Sequence, residues 1–80
     1  MTKVKSRTAA KVELMKALEL MSSIISDVGA WVKQGAPAIK HAEQNPDGTW
    51  NLTLFMYGYN FGVEAGNDTE LGGSWWKIVR

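Results

Sequence analysis

The sequence predicts an α+β fold, in which one N-terminal helix packs on one face of a 3-4-stranded antiparallel sheet. Apolar residues recur with the spacing of a helix over residues 8–33. After a turn sequence at residues 45–48, apolar residues alternate with the two-residue period of a strand. One amphipathic helix followed by several strands is typical of a two-layer arrangement around a single core.

The helical segment is defined by a regular stripe of apolar side chains. Successive members are separated by four, three, four, three and four residues: Leu14, Leu18, Met21, Ile25, Val28 and Val32. Ser6 or Thr8 is suited to cap the first turn, because a hydroxyl oxygen accepts a hydrogen bond from a free backbone N–H. Gly35 followed by Pro37 predicts the end of the helix.

Two interpretations of this stripe are open. It packs on the sheet, or it forms part of a helical dimer seam in which Met21 and Ile25 mediate self-association. The stripe extends over only about three heptads and the charges beside it are sparse. These features favour packing on the sheet.

The sequence Asn-Pro-Asp-Gly at residues 45–48 is the strongest turn signal in the chain. Proline favours the second turn position and glycine the position with positive φ, so these residues predict a hairpin with a strand on either side. Residues 49–57 form the stronger predicted strand. Residues 38–44 form a weaker strand, or a short helix that begins at Pro37.

The apolar pattern then changes phase. Apolar residues occupy even positions over residues 50–56 and odd positions over residues 55–63. A bulge or bend near Gly58 would bring both sets to one core. Residues 66–73 are expected to form an acidic loop before a last strand at residues 74–80.

Charge is unevenly distributed along the chain. Residues 1–40 contain seven basic and three acidic side chains, a net +4, whereas residues 41–80 contain two basic and five acidic side chains, a net −3. The small total of +1 does not by itself indicate a nucleic-acid partner. Residues 1–7 are predicted to be a flexible basic arm of the domain.

The length of 80 residues predicts one small domain, and the composition excludes several kinds of site. The sequence has no Cys, which excludes disulfides and thiolate metal sites, and His41 is its single imidazole. No segment has the apolar length that a membrane span or a secretory signal needs. We therefore expect a cytoplasmic protein with no membrane partner.

No catalytic constellation, cofactor motif or metal-ligand pattern is recognisable in the sequence. His41 and Glu43 are expected to share one strand face, where solvated surface is the simpler interpretation. Glu64, Asp68 and Glu70 are expected in a polar, solvated loop. The chain is therefore expected not to be an enzyme, to need no cofactor and to bind no metal.

The predicted sheet carries more aromatic side chains than one helix covers. Adjacent residues of a strand point to opposite faces, so Trp75 and Trp76 cannot both lie beneath the helix. Aromatic side chains on an uncovered face are typical of an interaction surface. The predicted partner-binding residues are Tyr57, Tyr59, Trp75 and Trp76 as anchors, with Asp68 and Glu70 as a charged rim.

These features favour a small non-enzymatic protein-binding module. Its size suggests a regulator or inhibitor of a host protein machine, of the bacteriophage accessory type. Two other functions are compatible with the sequence. One is a nucleic-acid-binding domain that uses the basic arm and the aromatic sheet face, and the other is a self-assembling structural subunit, a homo-oligomer built on the helical stripe.

Overall fold

Two helices are followed by a four-stranded antiparallel sheet in a computed structural model that describes residues 6–68, 70 and 72–80. The elements are, in chain order, α1 (Arg7–Ile24), α2 (Val28–Gln34), a short 3-10 helix (Ala36–Ala38), β1 (Ile39–Gln44), β2 (Trp50–Met56), β3 (Tyr59–Asp68) and β4 (Gly73–Ile78). The strands lie in the sheet in the order in which they follow along the chain. The predicted α+β class is confirmed.

The helical layer differs from the single helix that the sequence predicts over residues 8–33. α1 ends at Ile24, Ile25 and Asp27 have extended backbone angles, and α2 begins at Val28. The apolar stripe keeps its spacing across this break. Periodicity alone therefore gives no sign of the break.

Two polar side chains account for the break locally. Ser23 donates its hydroxyl to the carbonyl oxygen of Leu20 at 2.8 Å. Asp27 accepts a hydrogen bond from the N–H of Gly29 at 2.9 Å and is the N-cap of α2. Serine and aspartate side chains that bond to nearby backbone compete with a continuous helix, so a new helix starts after Asp27.

The predicted ends of the helical region are confirmed. The hydroxyl oxygen of Ser6 accepts the N–H of Ala9 at 3.2 Å, so Ser6 rather than Thr8 caps α1. Gly35 adopts the left-handed conformation, with a φ of 70°, at the end of α2. A glycine takes this conformation without the steric cost of a Cβ atom.

The core lies between the helices and one face of the sheet. Trp31 of α2 and Phe61 of β3 are the largest of its fully buried side chains. Its buried apolar residues are Ala10, Leu14, Leu18, Val28, Trp31, Ala36, Leu52, Leu54, Phe61, Val63 and Ala65. Met21, Ile25 and Val32 are partly buried against the same core, so the helical stripe packs on the sheet.

Two hydrogen bonds attach the helical layer to the end of the sheet where β3 gives way to β4. The N–H of Val28 donates to Asn67 Oδ1 at 2.9 Å, and the hydroxyl of Ser74 donates to the carbonyl oxygen of Ile25 at 3.2 Å. Both bonds use backbone groups that the break between α1 and α2 leaves without helical partners. The break is therefore tied to the sheet.

The hairpin predicted at residues 45–48 is confirmed. Gln44 of β1 pairs with Trp50 of β2, and the N–H of Gly48 donates to the carbonyl oxygen of Asn45 at 3.0 Å. Gly48 has a φ of 92°, as a glycine in this turn position permits. The weaker segment at residues 38–44 therefore contributes a strand.

Of the bulge or bend predicted near Gly58, the structure has a sharp bend, the turn of a second hairpin, and no bulge in the pairing of β2 with β3. Tyr57 and Gly58 have positive φ values of 51° and 83°, which is typical of a two-residue hairpin turn. Leu54 pairs with Phe61, so even positions of β2 and odd positions of β3 reach one face. Tyrosine rarely adopts positive φ, which is why the sequence lacks the usual signal for this turn.

The loop predicted over residues 66–73 is shorter in the structure, because residues 66–68 belong to β3 and residue 73 belongs to β4. β3 continues to Asp68, which pairs with Gly73 at the start of β4. A bulge does occur in the sheet, but in β1, where the pairing shifts between Ile39 and His41.

Gly58 is expected to accept a side chain only with a loss of stability. Gly58→Ala places a Cβ atom at a φ of 83°, which costs about 1–2 kcal/mol of unfolding free energy. Urea denaturation followed by circular dichroism measures this loss. Gly73→Ala is the matched control, because an added Cβ there meets no atom within 4 Å and the φ of Gly73 is ordinary. Equal losses in the two variants would contradict the turn.

The carboxylate of Asp47, in the turn between β1 and β2, has a pKa below its ordinary value. The main cause is the hydroxyl of Thr49, which donates to Asp47 Oδ1 at 2.6 Å, followed by the N–H of Thr49 at 3.0 Å. Because folding lowers this pKa, the stability that these bonds contribute is present above the unfolded-state pKa. It is lost as the pH falls through the folded-state pKa.

Thr49→Val is expected to raise the pKa of Asp47 toward its ordinary value, because the hydroxyl donor is removed. An NMR titration of the Asp47 carboxyl carbon measures the change. Thr53→Val, the same change placed within β2 and outside the turn, should leave the Asp47 pKa unchanged. An Asp47 pKa that stays in place in Thr49→Val would show that the hydroxyl is not its main cause.

Candidate functional site

The sheet face opposite α1 and α2 is uncovered in the part of the chain that the structure describes. We call it the open face and define it by the residues that alternate away from the core: His41, Glu43, Asn51, Thr53, Phe55, Asn60, Gly62, Glu64, Gly66, Trp75 and Lys77. One layer of helices covers only one side of a sheet, so this face is turned to solvent, although Gly66 is buried there beneath Trp75.

The centre of the open face is polar. His41 Nε2 lies 3.9 Å from Glu43 Oε2 within β1, and Lys77 Nζ of β4 lies 3.6 Å from Glu64 Oε2 of β3. A shallow depression of about 310 Å³ lies beside these pairs, above Gly62. Both pairs are solvent-exposed, so each contributes little to stability. His41 and Glu43 share a face, as the sequence predicts.

The two adjacent tryptophans of β4 point to opposite sides of the sheet. Trp75 lies on the open face with 39% of its surface exposed, and its indole covers Gly66 of β3. Trp76 is partly buried against the core on the helical side. Trp75 is therefore the exposed member of the pair, and alternation along the strand explains the difference.

The two tyrosines lie far from these tryptophans. Tyr57 is exposed in the turn between β2 and β3, and Tyr59 packs on the helical side with its ring centroid 6.4 Å from that of Phe61. The guanidinium of Arg7 lies 4.9 Å from the Phe61 centroid and 5.8 Å from the Tyr59 centroid. Arg7, which the sequence assigns to the basic arm, is thus part of α1 and of its packing. Residues 1–5 of the predicted arm lie outside the described residues.

The two predicted rim acids lie at the opposite end of β3 from Tyr59. Asp68 ends β3, and its Oδ1 accepts the N–H of Glu70 at 3.0 Å. β3 has ten residues, so its ends are roughly 30 Å apart at about 3.3 Å per residue. The structure therefore places Trp75 near Asp68 and Glu70, and separates both groups from Tyr57 and Tyr59.

The two residues assigned to self-association, Met21 and Ile25, pack against the core. The outer surface of α1 instead exposes Leu20 and Ile24, at 61% and 70% of their surfaces. The predicted seam therefore faces the sheet, and a different pair of apolar residues faces solvent.

A groove that the sequence did not indicate runs between α1 and the outer edge of β4. Its volume is about 370 Å³, and it is lined by Lys11, Met15, Trp76, Lys77 and Ile78. Met15 is 39% exposed, although it follows the fully buried Leu14 in the helix. The one sequence signal that could have identified Met15 as a groove residue is its position next to Leu14 of the apolar stripe.

The outer edge of β4 also presents unpaired backbone groups. The N–H of Val79 donates to the carbonyl oxygen of Gly62 at 2.8 Å. In an antiparallel ladder, every second residue then bonds to β3 and the residues between them point outward. The outward residues are Ser74, Trp76 and Ile78, and among the described residues no strand lies beyond them.

The other edge of the sheet, β1, is less suited to accept a strand. Its pairing with β2 is interrupted between Ile39 and His41, and Lys40 lies at the irregularity with Nζ 5.9 Å from the ring centroid of Phe55. A bulge and a charged side chain are devices by which edge strands avoid further pairing. β4 pairs with β3 from Gly73 to Ile78 without a bulge.

No protein-family model, curated protein or solved structure matches this chain. Within the described ranges, none of the helices combines the length and hydropathy of a membrane span, and no three His, Cys, Asp or Glu side chains are grouped to hold a metal ion. The function is therefore inferred from the surface geometry of β4 and α1.

Gly66 is expected to be required for the position of Trp75. A Cβ atom at Gly66 would lie 2.7 Å from Trp75 Nε1, so Gly66→Ala displaces the indole. We expect a loss of about 1–3 kcal/mol of unfolding free energy, as in other overpacked sites, and a changed near-UV circular dichroism spectrum. Gly62→Ala is the matched control on the same strand and face, since its closest contact is ordinary, at 3.4 Å from Val79 Cγ2. Wild-type stability and spectrum in Gly66→Ala would refute this packing.

Proposed function

We propose that this chain is a non-enzymatic protein-binding module that adds an extended segment of another protein to the outer edge of β4. The observation that supports it most is the presence, at one edge, of outward backbone groups and an apolar groove beside them. Strand addition at an exposed sheet edge is a recurring mode of peptide recognition. Backbone hydrogen bonds give affinity, and pockets for alternate side chains give specificity.

The geometry of β4 specifies how such a segment would lie. An added strand is spaced about 4.8 Å from its neighbour and would pair with the N–H and C=O groups of Ser74, Trp76 and Ile78. Its side chains alternate, so one set enters the groove beside Met15 and the other lies next to Trp75 on the open face. Trp75 and Trp76 would then contact the segment from opposite sides of one strand.

The proposal extends to a cytoplasmic regulator or inhibitor of a larger protein machine. When a small module binds an extended segment of another protein, it prevents other proteins from binding the same segment. The sequence contains no Cys and so forms no disulfide that would require an oxidising compartment, which is compatible with the proposed cytoplasmic location.

Nucleic-acid binding has less support among the described residues. Arg7 is engaged with aromatic rings of the helical side. In the described part of the open face, Glu43 and Glu64 accompany Lys77, so this face offers no cluster of cations to phosphate groups. The other two cations proposed for the basic arm, Lys3 and Lys5, lie outside the described residues.

A pair of substitutions at Ile78 tests strand addition. Ile78→Pro removes an outward N–H that β3 does not use, whereas Ile78→Ala removes most of the side chain but keeps the N–H. The tagged full chain and both variants capture proteins from a nuclease-treated lysate, and mass spectrometry identifies them. We expect a stoichiometric partner whose capture by Ile78→Pro is about tenfold weaker than by Ile78→Ala, from the loss of one backbone hydrogen bond and the bulk of the ring.

Other results would point elsewhere. A partner that both variants retain equally contradicts strand addition at β4. Nucleic acid recovered from an untreated lysate, without a protein, favours the nucleic-acid function. Recovery of the chain alone, with a melting temperature that rises with its concentration, favours self-assembly. Far-UV circular dichroism of both variants verifies that the sheet is intact.

A further inference from the structure

We infer that the segment bound along β4 is acidic on one side and apolar on the other. This inference rests on strand addition at β4 and specifies the chemistry of the segment. The alternation of side chains along an extended strand makes the two sides independent, so each side can be matched to the surface it meets.

The side of the segment that faces α1 meets apolar surface. Met15 lines the groove from α1, and Trp76 and Ile78 line it from β4. Trp76 and Ile78 are only partly buried against the core, so an apolar side chain placed here removes further apolar surface from water. Alternate residues of the segment are therefore apolar.

The charges that line the groove are both positive. They belong to Lys11 of α1 and Lys77 of β4, and among the described residues no carboxylate lines the groove, although Glu64 lies 3.6 Å from Lys77 Nζ on the open face. Glu19, two turns beyond Lys11 on α1, is not among the lining residues. An incoming segment with acidic side chains therefore complements this edge, and one with basic side chains is repelled.

Lys77 is placed to contact the side of the segment that lies on the open face. Its side chain is 65% exposed, although Nζ is 3.6 Å from Glu64 Oε2. An ammonium group has three donors, so Lys77 can donate to a second carboxylate, on a directly opposite residue of the added strand. Lys11 is a second cation that lines the groove, on the side of α1.

The same charges disfavour a second copy of this chain as the occupant. Antiparallel pairing of β4 with β4 of another copy would bring the Lys11 and Lys77 groups of both copies to one edge. Like charges placed close together across such an edge are destabilising. A heterologous acidic segment satisfies both the backbone groups and the lysines.

Selection from a peptide library tests this inference. A randomised peptide library displayed on phage is selected on the immobilised full chain, with counter-selection on Ile78→Pro. We expect enriched sequences to alternate apolar with acidic residues. Fluorescence anisotropy of an enriched peptide should show about tenfold weaker binding to Lys11→Glu and to Lys77→Gln. Lys16→Glu is the matched control, since Lys16 is exposed on α1 but does not line the groove, and it should bind within about twofold of the wild type.

The outcomes separate the charge preference from strand addition itself. Neutral or basic enriched peptides that still require the N–H of Ile78 would leave strand addition standing and overturn the acidic preference. Equal weakening of binding by Lys16→Glu and Lys11→Glu would also overturn the acidic preference of the groove, because the charge effect would then not be specific to the groove. If no peptide is enriched, or if the enriched peptides bind Ile78→Pro as well as they bind the wild type, both strand addition and the acidic preference are overturned. A dimer seen by analytical ultracentrifugation, dispersed by Ile78→Pro, would show that a second copy occupies the edge.

Discussion

The register between β2 and β3 decides which side chains form the core, and the rest of the structure depends on it. The turn at Tyr57 and Gly58 pairs Leu54 with Phe61, so two apolar sets of opposite parity reach one face. A slip of one residue would move a whole strand's apolar set to the other face. With this register fixed, the helices have one apolar surface to cover, and the other face keeps its ion pairs and Trp75.

Features that depend on local spacing were predictable from the sequence. The helical stripe follows from its period, and the hairpin at residues 45–48 follows from the preferences of proline and glycine in turns. The opposite orientation of Trp75 and Trp76 needs only the alternation of a strand. Each of these requires information from a few neighbouring residues, which a sequence displays directly.

Features that depend on particular backbone angles or on distant contacts were not predictable. The turn at Tyr57 lacks the usual Asn-Gly pair, and the break after Ile24 preserves the spacing of the stripe. The groove joins Met15 of the first helix to Ile78 of the last strand, and no local pattern records such a contact. For the same reason, the predicted site grouped Tyr57 and Tyr59 with Trp75, although β3 separates them by most of its length.

The groove joins two elements from opposite ends of the described chain, and this has a consequence for folding. Each strand pairs with its neighbour along the sequence, which closes short loops, whereas contact between α1 and β4 closes a long one. Long loops carry the larger entropy cost, so this contact is the least local step in assembling the fold. A segment held in the groove would touch both elements and oppose their separation. Under the proposed function, binding of a segment and resistance to unfolding would therefore be thermodynamically linked.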